Sequence, residues 1–158
     1  MYSVKILEKT DISDYEFLAD AEFLQELKKF DPDKNIAIGA RDQDKVLGLS
    51  FGSVYMPEKG ARISGISLLQ VDPEYRNKGI GTALLRKMEK ESRKRACGKM
   101  TIGFKKVEQE FDTAKRLLAM CGWEPPEIHG YGYWTTTERF FKDIAWVKRK
   151  IKYPYHDY

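Results

Sequence analysis

Along this chain the apolar positions change period several times, and each change marks an element. Tyr2 to Leu7 alternates Tyr, Val and Ile with Ser and Lys, the period-two pattern of a first strand. Ser13-x-x-Glu16 has the form of a capping box. Beyond it Phe17, Leu18, Ala21, Leu24 and Leu27 recur at helical spacing, which predicts one helix that stops near Phe30, before Asp31-Pro32-Asp33. Ile36 to Ala40 and Val46 to Tyr55 are two further strands joined by Asp42-Gln43-Asp44. Pro57-Glu58-Lys59-Gly60 then turns the chain into a strand beginning near Ala61. These strands predict an antiparallel meander.

The strand after Ala61 breaks period two, because Ile66 and Leu68 share one face while Leu69 and Val71 share the other. A β-bulge produces such a parity switch, and so does burial on both faces, where alternation is not required. After it, Leu84, Leu85 and Met88 line one face of a helix from Gly81 to about Ala96, with basic residues opposite and Gly98 predicted at its C-terminal cap. Met100 to Phe104 is a fifth strand, so strand, glycine loop, helix and strand form a parallel unit with a right-handed crossover. Phe111, Ala114, Leu117, Leu118 and Cys121 predict another helix, ended by Gly122. Tyr131 to Trp134 and Phe140 to Ile151 predict two last strands joined by Thr135-Thr136-Thr137-Glu138.

Composition narrows the class. A chain of 158 residues, 42 % hydrophobic and 33 % charged, is expected to form a single globular domain spanning 1–158. No apolar run approaches the roughly 20 residues that span a bilayer, and the N-terminus has no signal-peptide core, so a cytoplasmic location and no membrane partner are expected. Two cysteines, Cys97 and Cys121, and two histidines make neither a disulfide framework nor a metal cluster. The net charge of +4 is unevenly spread. Arg86, Lys87, Lys90, Arg93, Lys94, Arg95 and Lys99 follow the glycine loop, whereas Asp11, Asp14, Glu16, Asp20, Glu22 and Glu26 crowd the N-terminal part. Most of these charges belong to solvated helix faces. Those near the loop favour a polyanionic ligand, and the acidic segment favours a cationic one. Nucleic acid is disfavoured, since Glu89 and Glu91 interrupt the basic run and no aromatic platform is interleaved with it.

The candidate chemistry centres on Val71-Asp-Pro-Glu-Tyr-Arg-Asn-Lys-Gly-Ile-Gly-Thr82. In Arg76-x-x-Gly79-x-Gly81 the glycines let the backbone turn tightly while successive amides point outward at the first turn of a helix, which makes an anion cradle. A P-loop would need Gly-Lys-Ser/Thr, and here Lys78 precedes its glycine. A dinucleotide fingerprint would need a small residue where Leu84 stands.

Val71-x-Pro-x-Tyr-Arg-x-x-Gly-x-Gly-Thr-Ala-Leu-Leu closely resembles the acetyl-CoA signature of the Gcn5-related N-acetyltransferase (GNAT) superfamily. A second point of resemblance is Phe111-x-x-Ala114-x-x-Leu117-Leu118-x-x-x-Gly122-Trp123, which follows the family's frame of Asn-x-x-Ala-x-x-Leu-Tyr-x-x-x-Gly-Phe. The resemblance implies an α/β (α+β) fold: a mixed, mostly antiparallel sheet of six to seven strands flanked by helices, with a splayed central strand pair. It implies acetyl-CoA (coenzyme A) as cofactor. The pantetheine arm would pair with Leu69, Gln70 and Val71, and the pyrophosphate with the main chain of Arg76, Asn77, Lys78, Gly79, Ile80, Gly81 and Thr82. A main-chain amide near Val71 would polarise the thioester carbonyl. The implied reaction is direct attack by a primary amine of a small molecule, peptide or protein in a ternary complex. The segment between the first two strands, a wall of the acceptor site in this family, is short here and implies an open site. Homodimers occur among such domains and are a further implication.

The departures from the family lie in the chemistry. The position of its usual tyrosine, a proton donor near the coenzyme sulfur, is Leu118, and that of its Asn is Phe111. Candidate replacements are Cys121, Tyr131 and Tyr133, each with an ordinary packing role as the alternative. His129 is a candidate base in a predicted loop, or a surface residue. A coenzyme A thiolate has a pKa low enough to leave without a dedicated acid. The alternative function is a catalytically inactive acyl-CoA-binding regulatory domain that kept the cradle and lost the chemistry.

Overall fold

The computed structural model describes residues 1–103 and 108–125, and in it five strands form one sheet in the order β1-β2-β3-β4-β5. They are β1 (Ser3–Ile6), β2 (Asn35–Asp42), β3 (Lys45–Tyr55), β4 (Ile63–Val71) and β5 (Lys99–Ile102). The first four pair antiparallel as the meander pattern predicts, and β5 joins β4 in parallel after a crossover through helix α2 (Ile80–Lys94). Helix α1 (Ala21–Lys28) precedes β2, and α3 (Glu108–Met120) follows β5. Residues up to Pro125 form one compact unit. The two strands predicted over Tyr131–Trp134 and Phe140–Ile151 lie outside the described residues. No helix among the described residues is long and apolar enough to cross a membrane.

Both faces of the sheet are covered. Ile36, Ile38 and Ala40 of β2 pack with Ile66, Leu84, Leu85, Met88 and Leu118 under α2 and α3. Ala37 of the same strand belongs to a second core with Ile12, Tyr15, Leu27, Phe30, Leu49 and Phe51 on the α1 side. A strand sandwiched this way has no solvent face, which is why β2 and β3 are buried in runs and not in alternation.

Two local expectations are corrected. The single helix predicted from Ser13 to Phe30 is broken into a 3₁₀ helix (Ile12–Leu18) and α1. Asp20, not Ser13, caps α1: its carboxylate accepts the amides of Glu22 at 3.1 Å and Phe23 at 3.0 Å, where a negative charge also complements the helix dipole. Phe17 falls outside the buried stripe and is 65 % exposed. The second correction concerns the end of α2. The left-handed residue there is Ala96, with φ 57°, and the Cys97 amide reaches back to the Ser92 carbonyl at 3.1 Å in a Schellman pattern. Gly98 serves close approach instead. A Cβ on it would lie 2.8 Å from the Cβ of Ala61, and its amide donates to the Arg62 carbonyl at 2.9 Å. The predicted end of α3 stands: Gly122 has φ 78° and the Trp123 amide donates to the Leu118 carbonyl at 3.0 Å.

Polar contacts fix α2 on the sheet. The Ser92 hydroxyl donates to the Ser64 hydroxyl of β4 at 2.9 Å in the interior, and Glu91 pairs with Lys87 at 3.1 Å and Lys94 at 3.0 Å. Burial pushes the Glu91 carboxyl up, but the two lysines outweigh it and hold its pKa below the ordinary glutamate value.

Two stability outcomes follow from this packing. Ala96→Gly removes a left-handed alanine and raises stability by about 0.5–1 kcal/mol in urea unfolding; an unchanged or lower midpoint would contradict the assignment. Glu91→Gln lowers stability at pH 7. Because the folded pKa lies below the unfolded one, that stabilisation is present above the ordinary carboxylate range and lost as pH falls through it. The deficit should therefore shrink in melts taken towards pH 3, and a deficit that ignores pH would assign it to packing instead of charge.

Candidate active site

The site begins in the C-terminal half of β4. Among the described residues β4 pairs with β5 from Ile63↔Lys99 to Ile66↔Ile102, and the Gly103 amide lies 3.5 Å from the Ile66 carbonyl. On its other edge β4 stays paired with β3 as far as Gly48↔Val71. The register steps from Gly52↔Ile66 to Phe51↔Leu68, which leaves Ser67 as an extra residue, and its hydroxyl lies 3.5 Å from the Phe51 carbonyl. This is the bulge that the parity switch allowed, two residues before Leu69. It sets Ile66 with Leu69 and Val71 on the α2 face and turns Leu68 to the other core.

The bulge and the β3 pairing decide which way the backbone groups face. The Asp72 amide donates to the Leu47 carbonyl of β3 at 2.9 Å. By the alternation of a strand, the amide of Gln70 also faces β3, whereas those of Leu69 and Val71 face the edge away from β3. The Val71 carbonyl on that edge accepts from Arg76 Nε at 3.3 Å.

The chain then makes its turn. The Asp72 carboxylate accepts the Glu74 amide at 3.0 Å and starts a short 3₁₀ turn, Pro73–Tyr75. Asn77 (φ 61°) and Gly79 (φ 78°) are left-handed, and the latter leads into α2. The Ala83 amide makes the first helical bond, to the Gly79 carbonyl at 3.0 Å. The amides of Ile80, Gly81 and Thr82 therefore precede the ladder and point past the positive end of the helix dipole. A Cβ on Gly81 would stand 3.4 Å from Leu117 of α3 and 3.8 Å from Val71, so helix and strand both close on the cradle.

Other side chains gather here without any local sequence signal. The Tyr2 hydroxyl would lie 3.7 Å from a Cβ on Gly79. The Tyr75 ring carries the ammonium of Lys45 at 4.4 Å and that of Lys78 at 4.7 Å. Lys45 is far from the loop in sequence, and only the β3–β4 register brings it there.

Of the candidate proton donors, the structure describes Cys121. Burial first, and then the Glu89 carboxylate, push its thiol up, with Arg86 opposing. Glu89 also accepts from the Trp123 indole Nε1 at 2.7 Å, tying the end of α3 to α2. Leu118 is 3 % exposed in the core, and Phe111 is half-buried. Tyr131, Tyr133, His129 and Trp134 lie outside the described residues.

A model of the Acetyltransferase (GNAT) family matches residues 4–123. No curated protein matches the sequence. Among solved structures, an aminoglycoside acetyltransferase from an uncultured soil metagenomic sample, in complex with trehalose, aligns with TM-score 0.68 and 18 % identity over 85 % of this chain and 96 % of its own. Glucosamine-6-phosphate N-acetyltransferase from Arabidopsis thaliana gives 0.67 and 14 % over 85 % and 99 %. An aminoglycoside N-acetyltransferase in complex with CoA gives 0.67 and 14 % over 84 % and 95 %. At these identities the likeness to the solved structures is one of fold.

The Cys121 environment gives a pH-linked outcome. Glu89→Gln keeps an acceptor for Trp123 but removes the charge that raises the thiol pKa, so alkylation of Cys121 by iodoacetamide at pH 8 becomes about twofold faster or more. An unchanged rate in a variant with Cys97 already replaced would show that the carboxylate does not act on the thiol.

Proposed function

The chain belongs to the GNAT acetyltransferase family, and from that premise we propose that it is an N-acetyltransferase moving an acetyl group from acetyl-CoA to a primary amine in a ternary complex. The observation that carries this reading is the outward-facing edge of β4 at Leu69 and Val71, which leads through one turn into the first amides of α2. An extended arm ending in phosphates suits that layout. The edge offers amides to pair with an amide-containing chain, as an added strand would, and the helix start offers a cluster of amides to an anion. Arg76, exposed beside the turn, adds a positive charge to the same place.

When bound, acetyl-CoA supplies the acetyl group as an activated thioester. The amides of Leu69 and Val71, turned away from β3, are the candidate donors along this edge, and a fixed amide there stabilises negative charge developing on an acyl oxygen. The loop from Arg76 to Thr82 holds the pyrophosphate. Positioning then does most of the work, and no covalent bond to the protein is required. Leu118 cannot donate a proton. A thiolate leaving group of low pKa makes such a donor dispensable.

The acceptor class is a primary amine on a small molecule, or a peptide amine. Two observations favour a cationic small molecule. Glu16, Asp20, Glu22 and Glu26 lie along the 3₁₀ helix and α1 on the sheet face opposite α2, and two of the similar structures are named as aminoglycoside acetyltransferases. A second reading, an acyl-CoA-binding domain without catalysis, is favoured by Leu118 alone.

Calorimetry with acetyl-CoA tests the cofactor, and coenzyme A release followed with a thiol reagent across an amine panel tests the chemistry. Wild type binds in the micromolar to millimolar range, and Gly79→Glu, which sets a carboxylate on a left-handed residue at the cradle, loses at least tenfold in affinity while retaining its melting transition. No binding by wild type would end the proposal. Binding without thiol release from any amine would leave the non-catalytic reading in its place.

A further inference from the structure

Beside the cradle, two ammonium groups from different parts of the chain share one aromatic ring. Lys78 belongs to the loop and Lys45 begins β3, yet both stand within 4.7 Å of the Tyr75 ring centroid. The ring itself is anchored, packing its apolar side on the core under α2. Lys78 Nζ makes a further hydrogen bond to a neutral acceptor, the Glu74 carbonyl at 3.3 Å. Lys45 Nζ pairs with Glu74 Oε2, also at 3.3 Å, but that carboxylate is 75 % exposed, and an exposed pair of this kind is weak and open to exchange.

Like charges are seldom gathered on one ring unless something of opposite charge completes the group. Here Lys45 pairs with the Glu74 carboxylate, Lys78 and the nearby Arg76 donate to the backbone carbonyls of Glu74 and Val71, and the Asp72 carboxylate is engaged in capping the turn. The amides of Ile80 to Thr82 can hold a diphosphate at the helix start. A further phosphate carried elsewhere on the same ligand needs other donors, and the lysine pair shares the Tyr75 ring at the start of the same loop, with Lys78 directly preceding Gly79 in the chain. Each ammonium keeps spare donors, and the ring fixes their position in advance.

We propose that Lys45, together with Lys78 on the Tyr75 ring, binds a phosphate monoester on the nucleotide end of the ligand, so that the site distinguishes coenzyme A from its 3′-dephospho form. This rests on the coenzyme A reading above. Lys45 is the diagnostic residue because it lies outside the glycine loop and half exposed on a hairpin, where substitution leaves the core intact.

The test is calorimetry of coenzyme A and 3′-dephospho-coenzyme A with wild type, Lys45→Met and Lys45→Arg. Wild type prefers coenzyme A by about tenfold, the size expected for charge-assisted contacts to one phosphate. Lys45→Met keeps its affinity for the dephospho form and loses most of the preference, whereas Lys45→Arg retains it. Equal binding of the two ligands by wild type, or an equal loss for both in Lys45→Met, overturns the assignment while leaving coenzyme A binding standing. Binding of neither ligand by wild type overturns the coenzyme A reading and this inference with it.

Discussion

The site depends on one backbone constraint: β4 is committed to β3 as far as Gly48↔Val71, so that the amides of Leu69 and Val71 face the edge away from β3. The extra residue Ser67 re-phases the strand just beyond Ile66, the last β4 residue paired with β5 among the described residues. Beyond that point Leu69 and Val71 turn their amides away from β3. Buried sheets rarely leave such groups uncommitted, because each unmet donor costs free energy. Donors on that edge therefore suit a ligand backbone.

The rest of the fold holds that edge and the cradle in fixed relation. α2 begins directly after the turn and runs back along β4, where Ser92 meets Ser64 in the interior. α3 closes from the far side, with Leu117 beside Gly81 and Trp123 tied to Glu89. The turn itself is set by the Asp72 cap and by left-handed Asn77 and Gly79. The donors of the edge and of the helix start thus come preorganised, so that little ordering is left to ligand binding.

Local chemistry was the legible part of the sequence. Glycines and Arg76 marked the cradle, and a parity switch marked the bulge, because both effects act within a few residues. The parity pattern grouped Ile66 with Leu68 on one face; the structure sets it with Leu69, since the bulge falls between Ile66 and Leu68. The first helix was misjudged because its apolar spacing runs on across Ala19 and Asp20, while a stronger cap at Asp20 restarts it. Gly98 resembles a helix stop in sequence, but Ala96 holds that conformation and Gly98 is needed for close packing on Ala61. The Lys45–Tyr75–Lys78 group was invisible, as only strand pairing joins its parts. Leu118 was noticed as a departure, and its burial in the core explains why a leucine suits the position.

The central proposal is that one row of main-chain donors, from the outward-facing edge of β4 to the first turn of α2, receives acetyl-CoA. Its most direct test is a backbone-amide NMR titration of the protein with acetyl-CoA. The amides of Leu69, Val71, Ile80, Gly81 and Thr82 should show the largest shifts, saturating together with one dissociation constant, while that of Gln70, committed to β3, moves less. Shifts confined to the basic outer face of α2, or none at these amides at saturation, would contradict the account.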